Sequence, residues 1–390
     1  MSRLEELIQQ HCPDGVEYKK LEECCQILDN KRKPITKGAR VAGEYPYYGA
    51  NGIQDYVADY IFDGKYVLVG EDGSVITSNG TPVVNWAEGK IWVNNHAHII
   101  SEKDGVLLRY LFHYLQTINI SPLIHGNIPK LTGGDFRALT IPVPPLPVQE
   151  EIVRILDNFA ELQAELQAEL QKRLQQYNYY RDNLFSFEGR TDVEWKKLGD
   201  VASIKTGRRF VRTDIRESGV PCFHYGDIYT YYGLTATTTK GYLDAELASK
   251  LRFAQPNDVV VVCAGENDMD IGVGVAWLGN EPAVAHDACC ILHHHQNPRY
   301  ISHFLRTHNY HLQIRRYVKN GKISSLPASG LAEAIIPIPP LEEQERIATI
   351  LDRFDALTTD LTAGLPAEIE ARRKQYEYYR DQLLTFKQKA

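Results

Sequence analysis

The stretch that decides the fold occurs twice: residues 141–159 read IPVPPLPVQEEIVRILDNF, and residues 336–354 read IPIPPLEEQERIATILDRF. Each copy begins with a proline-rich elbow and passes into a pattern of charged and apolar residues, and the two copies lie 195 positions apart. A second pair follows in the same order, QYNYYRDNLFSF at 176–187 and QYEYYRDQLLTF at 375–386. Matches in one order along the chain indicate a tandem duplication.

Each elbow leads into a long amphipathic helix, which we call a rod. From Val148 to Phe187 the chain contains no Gly or Pro, and its apolar residues recur three and four positions apart. Forty residues at about 1.5 Å each predict a rod of roughly 60 Å. In the second rod, Gly364 and Pro366 interrupt the pattern, so we expect a kink or a break there. Because so long an apolar stripe needs a partner, we expect the rods to pair; the alternative is that each helix lies on its own block.

The chain before each elbow forms a block of mixed structure. The blocks begin alike, with VEYKKL at 16–21 and VEWKKL at 193–198, and then diverge. Short β-branched runs that end at turn residues predict strands, and three- and four-residue periodicity predicts helices at 107–117 and 300–317. Strands and helices do not alternate regularly, so we predict an α+β fold. The predicted segments are the first block at 1–140, the first elbow and rod at 141–189, the second block at 190–335, and the second elbow and rod at 336–390.

Composition restricts the class of protein. The chain has 390 residues, of which 43% are hydrophobic and 24% charged, a balance typical of domains with substantial cores. No apolar run approaches the roughly 18 residues that cross a bilayer, and the first residues do not resemble a signal peptide, so we expect no membrane contact and a cytoplasmic protein. Seven cysteines without a CxxC pair argue against a disulfide framework or a zinc site. The net charge of −7 argues weakly against nucleic acid, unless cations are concentrated locally.

The sequence motifs of common enzymes are missing from the chain. It contains no GxxxxGK[ST], GxSxG or HExxH. Glu71-Asp72 and the acidic group Glu266, Asp268 and Asp270 are of the type that holds a catalytic metal, but no lysine follows them at the spacing of nucleases. We therefore expect no catalytic residue, no metal and no other cofactor on this chain.

Three clusters of cations favour a nucleic-acid partner. KRKPITKGAR at 31–40 has five cations and no acid, KTGRRFVRTDIR at 205–216 has five against one acid, and RRYVKNGK at 315–322 has four and no acid. A single charge run is usually a solvated face, but two at equivalent places in a duplicated chain favour phosphate contacts, and nearby aromatic and amide side chains suit bases. The candidate DNA-binding residues are Lys31, Arg32, Lys33, Lys37, Arg40, Tyr47, Asn51, Lys205, Arg208, Arg209, Arg212, Tyr225, Arg315, Arg316, Lys319 and Lys322.

This architecture resembles the specificity subunit of type I restriction–modification systems across essentially the whole chain. The resemblance rests on the doubled elbow and rod, on the doubled QYNYYRD and QYEYYRD, and on three AELQ tetrads at 160–171, which are similar to the tetrapeptide repeats of one subclass. It implies two target-recognition domains, each reading one half of a split DNA sequence. It also implies that the rods pair as an antiparallel coiled coil that holds these domains apart, and that the chain ends lie close together.

The resemblance further implies partners and a division of labour. The expected partners are double-stranded DNA, two methyltransferase (modification) subunits and the restriction (translocase) subunits. S-adenosylmethionine, ATP and Mg²⁺ would belong to those subunits, and this chain would catalyse nothing. The candidates for contact with the partner helix and for subunit docking are Gln149, Ile152, Leu156, Phe159, Tyr180, Arg181, Gln344, Ile347, Leu351, Phe354, Tyr379 and Arg380.

Two other functions remain open from the residues alone. A self-contained nuclease or methyltransferase would use the acidic groups, although no cofactor loop accompanies them. A coiled-coil scaffold would bind proteins through its blocks, and the negative net charge favours it. Cleavage or methylation of DNA by the isolated chain would identify the first, and binding without sequence preference would favour the second.

Overall fold

The computed structural model describes residues 3–124, 127–266, 270–319, 321, 323–360 and 363–389. The chain divides into two compact units, the first formed by residues 1–165 and 370–390 and the second by residues 166–369. Each unit therefore holds one block, the beginning of the rod that follows this block, and the end of the other rod. Within the described ranges, no helix is both long enough and apolar enough to cross a membrane.

The block of the first unit is built on one mixed sheet. Its strands run in the spatial order of the second, seventh, fifth, sixth, third and fourth strands of the chain, and only the third and sixth pair in parallel. The strands are β1 (Glu17–Lys20), β2 (Gln26–Ile27), β3 (Ala42–Gly49), β4 (Gly52–Val57), β5 (Phe62–Gly70), β6 (Val84–Val93), β7 (Ala97–Ser101) and β8 (Thr140–Val143). The short helices are α1 (Arg3–His11), α2 (Leu21–Cys24), α3 (Leu108–Leu115) and α4 (Gly133–Ala138).

The sheet of the first unit is covered on both faces. Val67 and Val69 of β5 point into the larger apolar cluster, which also contains α3, whereas Leu68 points into a second cluster on the opposite face. All three side chains are fully buried. A strand buried on both sides requires a continuous apolar run, and for this reason Tyr66–Val69 does not alternate with polar residues.

The block of the second unit contains a five-stranded and a four-stranded sheet. Its strands are β9 (Glu194–Lys197), β10 (Ala202–Thr206), β11 (Val220–Phe223), β12 (Thr235–Ala236), β13 (Gly241–Leu243), β14 (Phe253–Ala254), β15 (Val259–Val262), β16 (Ala264–Gly265), β17 (Gly274–Trp277), β18 (Ala283–Ala285), β19 (Cys289–His294), β20 (Ser324–Ser325) and β21 (Ile335–Ile338). The five-stranded order is β10-β19-β15-β17-β12 and the four-stranded order is β13-β11-β18-β14.

Each block is closed by an equivalent pair of antiparallel strands. β1 pairs with β8 in the first unit, and β9 pairs with β21 in the second, so the VEYKKL and VEWKKL segments each contact the elbow that ends their own block. The duplication thus continues at the base of the blocks, although their sheets differ.

The short helices of the second block are α6 (Leu198–Val201), α7 (Tyr225–Thr230), α8 (Ala245–Ala248), α9 (Pro298–Phe304), α10 (His308–Arg315) and α11 (Ala328–Ala332), which follow the first rod, α5 (Leu146–Leu184).

The rods form as long helices, and the second one is broken. The first rod is the single 39-residue helix α5, while the second consists of α12 (Leu341–Thr359) and α13 (Leu365–Leu383). The predicted interruption is confirmed, since a new helix, α13, begins with Pro366 at its second position. The amide hydrogen that Pro lacks would have no acceptor within the helix there, because amide groups of the first turn are unpaired in any helix. The predicted helix at 300–317 is wrong in one respect: it is two helices, α9 and α10, because the hydroxyl of Thr307 accepts from the amide of Tyr310 and starts α10 afresh. The predicted α+β class is confirmed.

Candidate nucleic-acid interface

One cleft of the second unit brings together three of the predicted DNA-binding residues. Arg209 and Arg212 follow β10, and Tyr225 starts α7, yet all three line the same cleft of about 380 Å³. The ring of Tyr225 lies 4.6 Å from the ring of His224, which also lines the cleft. Cations, an aromatic ring and an imidazole are types of side chain that contact the phosphates and base edges of DNA, and this cleft places them together.

The remaining cations of the second unit lie in different surroundings. Lys205 is exposed on β10, whereas the guanidinium of Arg208 donates to the carbonyl of Lys250 at 2.7 Å. Arg315 is exposed at the end of α10. The exposed Arg316 lies over the ring of Tyr317 at 4.8 Å. Lys319 is exposed and pairs through its backbone with Ser325, next to the strand pair β16–β20. Lys322, the last cation of this cluster, lies outside the described residues. Asp268, from the acidic group considered as a metal site, lies outside them too.

In the first unit, the lysines and the arginines of the predicted cluster behave differently. Lys31, Lys33 and Lys37 are exposed, and their ammonium groups have no ion pair among the described residues. Arg40 instead donates to Asp55 at 3.1 Å and covers the ring of Tyr47 at 4.2 Å. The lysines are therefore free to bind a phosphate, whereas Arg40 is already paired.

Arg32 belongs to a buried polar network. Its guanidinium donates to Glu71 at 2.6 Å and to the carbonyl of Ala97 at 2.7 Å, and His98 contacts Asp29 at 2.7 Å beside it. Burial raises the pKa of Asp29, but the interactions with His98, with the amide of Ile99 and with Arg32 together outweigh burial and hold that pKa below its ordinary value. Asp29, Glu71 and His98 are of the types that bind metals, yet Arg32 already supplies their positive charge.

Two predicted DNA-binding residues of the first block are thus interior groups. Arg32 is 12% exposed and Tyr47 only 1%, and the hydroxyl of Tyr47 accepts from the amide of Ile35 at 3.0 Å. Their polar groups already form hydrogen bonds within the block, so direct contact with DNA does not fit these contacts; both side chains support the loop that carries the lysines. Asn51 is exposed and lines a separate polar cleft with Asn79 and Asn119.

Most of the predicted docking residues are buried within their own units. The side-chain amide of Gln149 accepts from the amide of Leu107 and donates to the carbonyl of Pro144, and Gln344 repeats this with Asn297 and Pro339. These residues hold the rod on its own block and are not surfaces for another subunit. The fully or largely buried members are Gln149, Ile152, Leu156, Arg181, Gln344, Ile347 and Leu351.

The other docking candidates lie where the rods meet. In the first unit Phe159 stacks on Tyr379, with 5.6 Å between ring centroids; in the second unit Phe354 packs on Tyr180 at 5.5 Å. The start of each rod thus contacts the end of the other, and the predicted helix pairing is confirmed. Arg380 is partly buried and lies over the ring of Tyr376.

A polar network beside these rings was missed from the sequence. In the first unit Asp157 accepts from Arg109 and from His113, both at 2.8 Å, and the other ring nitrogen of His113 lies 3.2 Å from the hydroxyl of Tyr376. Burial lowers the pKa of His113 despite the opposing effect of Asp157, so the imidazole is neutral and the tyrosine donates to it. The network ties the block, its rod and the end of the other rod together.

The second unit repeats this network residue by residue. Asp352 accepts from His303 at 2.8 Å and from Arg299, and the hydroxyl of Tyr177 lies 3.3 Å from the other ring nitrogen of His303. The equivalent aspartates are 195 positions apart and the equivalent tyrosines 199 positions apart, which are the spacings of the elbow and QYNYYRD copies. Those spacings point to the aspartate and tyrosine members, whereas the arginines and histidines are 190 positions apart, within the divergent blocks.

Comparison with known proteins assigns a family to this architecture. The sequence model of the type I restriction modification DNA specificity domain matches residues 13–176 and again residues 191–371. The chain belongs to the type I restriction–modification specificity family. The two matches coincide with the two repeats, and the predicted recognition of this family is confirmed.

Relatives and solved structures agree with this assignment. A Haemophilus influenzae protein described as a type I restriction enzyme specificity subunit is 37% identical over 95% of this chain and 96% of its own length. The EcoR124I/EcoR124II specificity subunit of Escherichia coli is 34% identical over 73% of this chain and 72% of its own length. The solved S subunit of a type I restriction–modification system from M. genitalium shares the fold with a TM-score of 0.53, 15% identity and coverage of 95% of both chains. A chain from a structure of type I complex assembly gives a TM-score of 0.61 at 16% identity, covering 95% of this chain and 98% of that one.

The family also decides between the functions that the residues left open. A specificity subunit recognises the DNA target of its system and is the non-catalytic member of the complex. The alternatives of a self-contained enzyme and of a general protein scaffold are therefore set aside.

Proposed function

We propose that this specificity subunit reads a split DNA sequence, one half with each block, and directs two methyltransferase subunits and the restriction subunits to it. The observation that carries this proposal is that the duplicated chain presents two different blocks on matching rods, with exposed cations on both. Divergent blocks suit two different half-sites, and matching rods suit two copies of one partner. S-adenosylmethionine, ATP and Mg²⁺ belong to those partners in this proposal.

The lysines of the first block provide the test of DNA contact. Replacing Lys31, Lys33 and Lys37 together with Gln removes three exposed cations that have no ion pair among the described residues. Each lost phosphate contact lowers the slope of log binding constant against log salt by about 0.9, so the slope should fall by up to about three units. The measurement is a salt titration of DNA binding by the complex with its methyltransferase subunits.

A matched control keeps the net charge of that variant. Lys103, Lys172 and Lys387 are exposed lysines outside the three cation clusters. Their triple Gln variant has the same charge and should keep the slope of the unaltered chain. Equal slopes for both variants would contradict a phosphate-binding role for the first cluster.

The rod ends carry the surfaces that we assign to the methyltransferase subunits. Tyr179 is 66% exposed in the first rod and its counterpart Tyr378 is 63% exposed in the second. Exposed aromatic side chains that recur at equivalent places suit two copies of the same interface. Tyr180 and Tyr379 are about two-fifths exposed beside them and lean on the phenylalanines of the opposite rod.

The two tyrosines allow the two docking events to be separated. Tyr179→Ser should remove one methyltransferase subunit and Tyr378→Ser the other, so that each variant assembles with one copy and the double variant with none. Native mass spectrometry of the complexes measures this count. Tyr60→Ser, a tyrosine outside the rods, is the control. Two bound copies in the double variant would exclude this surface.

A further inference from the structure

The cleft of the second unit combines donors and carboxylates, and we propose that it reads a G·C base pair in one half of the target. His224 and Arg209 are assigned as donors to the guanine, and Glu266 and Asp287, which line the same cleft, as acceptors for the cytosine. This assignment rests on the proposed DNA-reading function and names the residues that carry it out.

The imidazole of His224 presents a single donor. Its Nδ1 accepts from the amide of Gly226 at 3.3 Å, so in the neutral ring the proton is on Nε2. Two effects lower the pKa of His224, burial and, to a smaller extent, the adjacent His286, so the ring is neutral at pH 7. Among the described residues, Nε2 has no hydrogen-bond partner, which leaves this N–H for a ligand.

Packing fixes the orientation of this donor. His224 is 8% exposed, and the ring of Tyr225 lies against it at 4.6 Å. Phe210 approaches it from another side, with ring centroids 6.3 Å apart. A donor that is already oriented loses little conformational entropy on binding, which is the requirement for discrimination between base edges.

Arg209 is the guanidinium of this cleft that is free to bind. It is exposed and has no ion pair or hydrogen bond within the described ranges. Arg208 is held by the carbonyl of Lys250, and Arg212 lies 3.7 Å from Asp227. Arginine donating to O6 and N7 of guanine is the commonest specific contact in the major groove.

The carboxylates distinguish a base edge from a phosphate as the ligand. Glu266 and Asp287 would repel a phosphate group in this cleft, but a carboxylate accepts a hydrogen bond from N4 of cytosine. A G·C pair offers two neighbouring acceptors on guanine and one donor on cytosine. Adenine offers one acceptor next to a donor, which leaves one of the two protein donors unpaired.

The experiment is the mapping of methylated motifs in DNA exposed to the chain with its methyltransferase subunits. His224→Ala and Arg209→Ala should each admit other base pairs at the same single position, in one half-site only, with discrimination reduced about 5- to 150-fold. That position should be G·C in the motif of the unaltered chain. His295→Ala removes an exposed imidazole outside the cleft and should leave the motif unchanged.

Three results would overturn the assignment, and they separate it from the proposed function. An A·T pair at the relaxed position excludes the guanine reading. An unchanged motif in Arg209→Ala, an exposed residue whose loss spares the core, excludes the cleft as a base reader while the split motif itself upholds the proposed function. If the unaltered complex methylates no split motif, the proposed function fails, and this assignment fails with it.

Discussion

At the scale of single residues, this chain buries histidines as neutral groups in both repeats. His113 and His303 are fully buried, each donates to an aspartate, and burial lowers the pKa of each. In the same unit as His303, the side chain of His294 is 7% exposed, and burial lowers its pKa to about 4. A histidine that stays neutral when folded makes stability depend on pH.

His294 provides the first prediction at this scale. The unfolded chain binds a proton at this histidine below about pH 6.5, whereas the folded chain binds it only near pH 4. The free energy of unfolding should therefore fall as pH falls from about 6.5 to 4, by at most about 3 kcal/mol from this residue, and change no further below that range. The imidazole of His294 accepts a hydrogen bond from the amide of Gln296. In His294→Asn the side-chain oxygen can accept the same hydrogen bond, and the group that titrates is gone.

Urea denaturation at pH 7.0, 5.5 and 4.5 measures this dependence. The unaltered chain should lose more stability on acidification than His294→Asn, with the difference growing towards pH 4.5. His295→Asn, at an exposed neighbouring position, is the control and should behave as the unaltered chain. Parallel pH profiles for all three chains would show that His294 is protonated equally in the folded and unfolded states.

The sequence predicts where the cations are concentrated, but it does not predict which of them are exposed. A run of cations such as 31–40 shows where positive charge is concentrated along the chain. It does not show that Arg32 is taken up by Glu71, a residue 39 positions away, while Lys31 and Lys33 remain free. The network around Asp157 was missed for the same reason, because Tyr376 joins it from the other rod.

At the scale of elements, the rods were predictable and the blocks only partly. Helix periodicity depends on residues three and four apart, and the absence of Gly and Pro in 148–187 is enough to predict α5. The break before Pro366 follows from the chemistry of one residue. The two sheets of the second block depend on strand pairs that are distant in sequence, such as β11 with β18, and no local pattern specifies them.

The first rod supports a prediction about the separation of the half-sites. Inserting one further AELQ after Gln171 adds about 6 Å and turns the helix by about 400°, so the apolar stripe keeps nearly its direction. Stacked base pairs rise about 3.4 Å each, so the unspecified spacer between the half-sites should widen by one or two base pairs. Mapping of methylated motifs measures the spacer.

A single inserted Ala at the same place is the matched comparison. It turns everything beyond it by about 100° and should swing the apolar stripe from Leu162 to Leu174 off its partner helix, with loss of assembly or activity. An unchanged spacer with the added tetrad, or full activity with the single Ala, would show that the rod does not set the distance.

At the scale of the whole molecule, the chain is a duplicated unit whose ends meet. In the first unit the amide of Val16 donates to the carbonyl of Lys387, and the amide of Lys389 donates to the carbonyl of Val16, both at 2.9 Å. The expected proximity of the chain ends is confirmed. The start of the first block is thus held by the residues that follow α13, much as the junction at 184–193 connects the first rod to the second block.

The central claim is that the two blocks read the two half-sites independently, and one block exchange tests it most directly. Residues 191–335 are replaced by the corresponding block of the Haemophilus influenzae relative, and methylated motifs are mapped for both chains with the methyltransferase subunits. Since the rods and the first block are unaltered, one half-site should change while the other half-site and the spacer stay the same. A change in both half-sites, or in neither, would contradict independent reading.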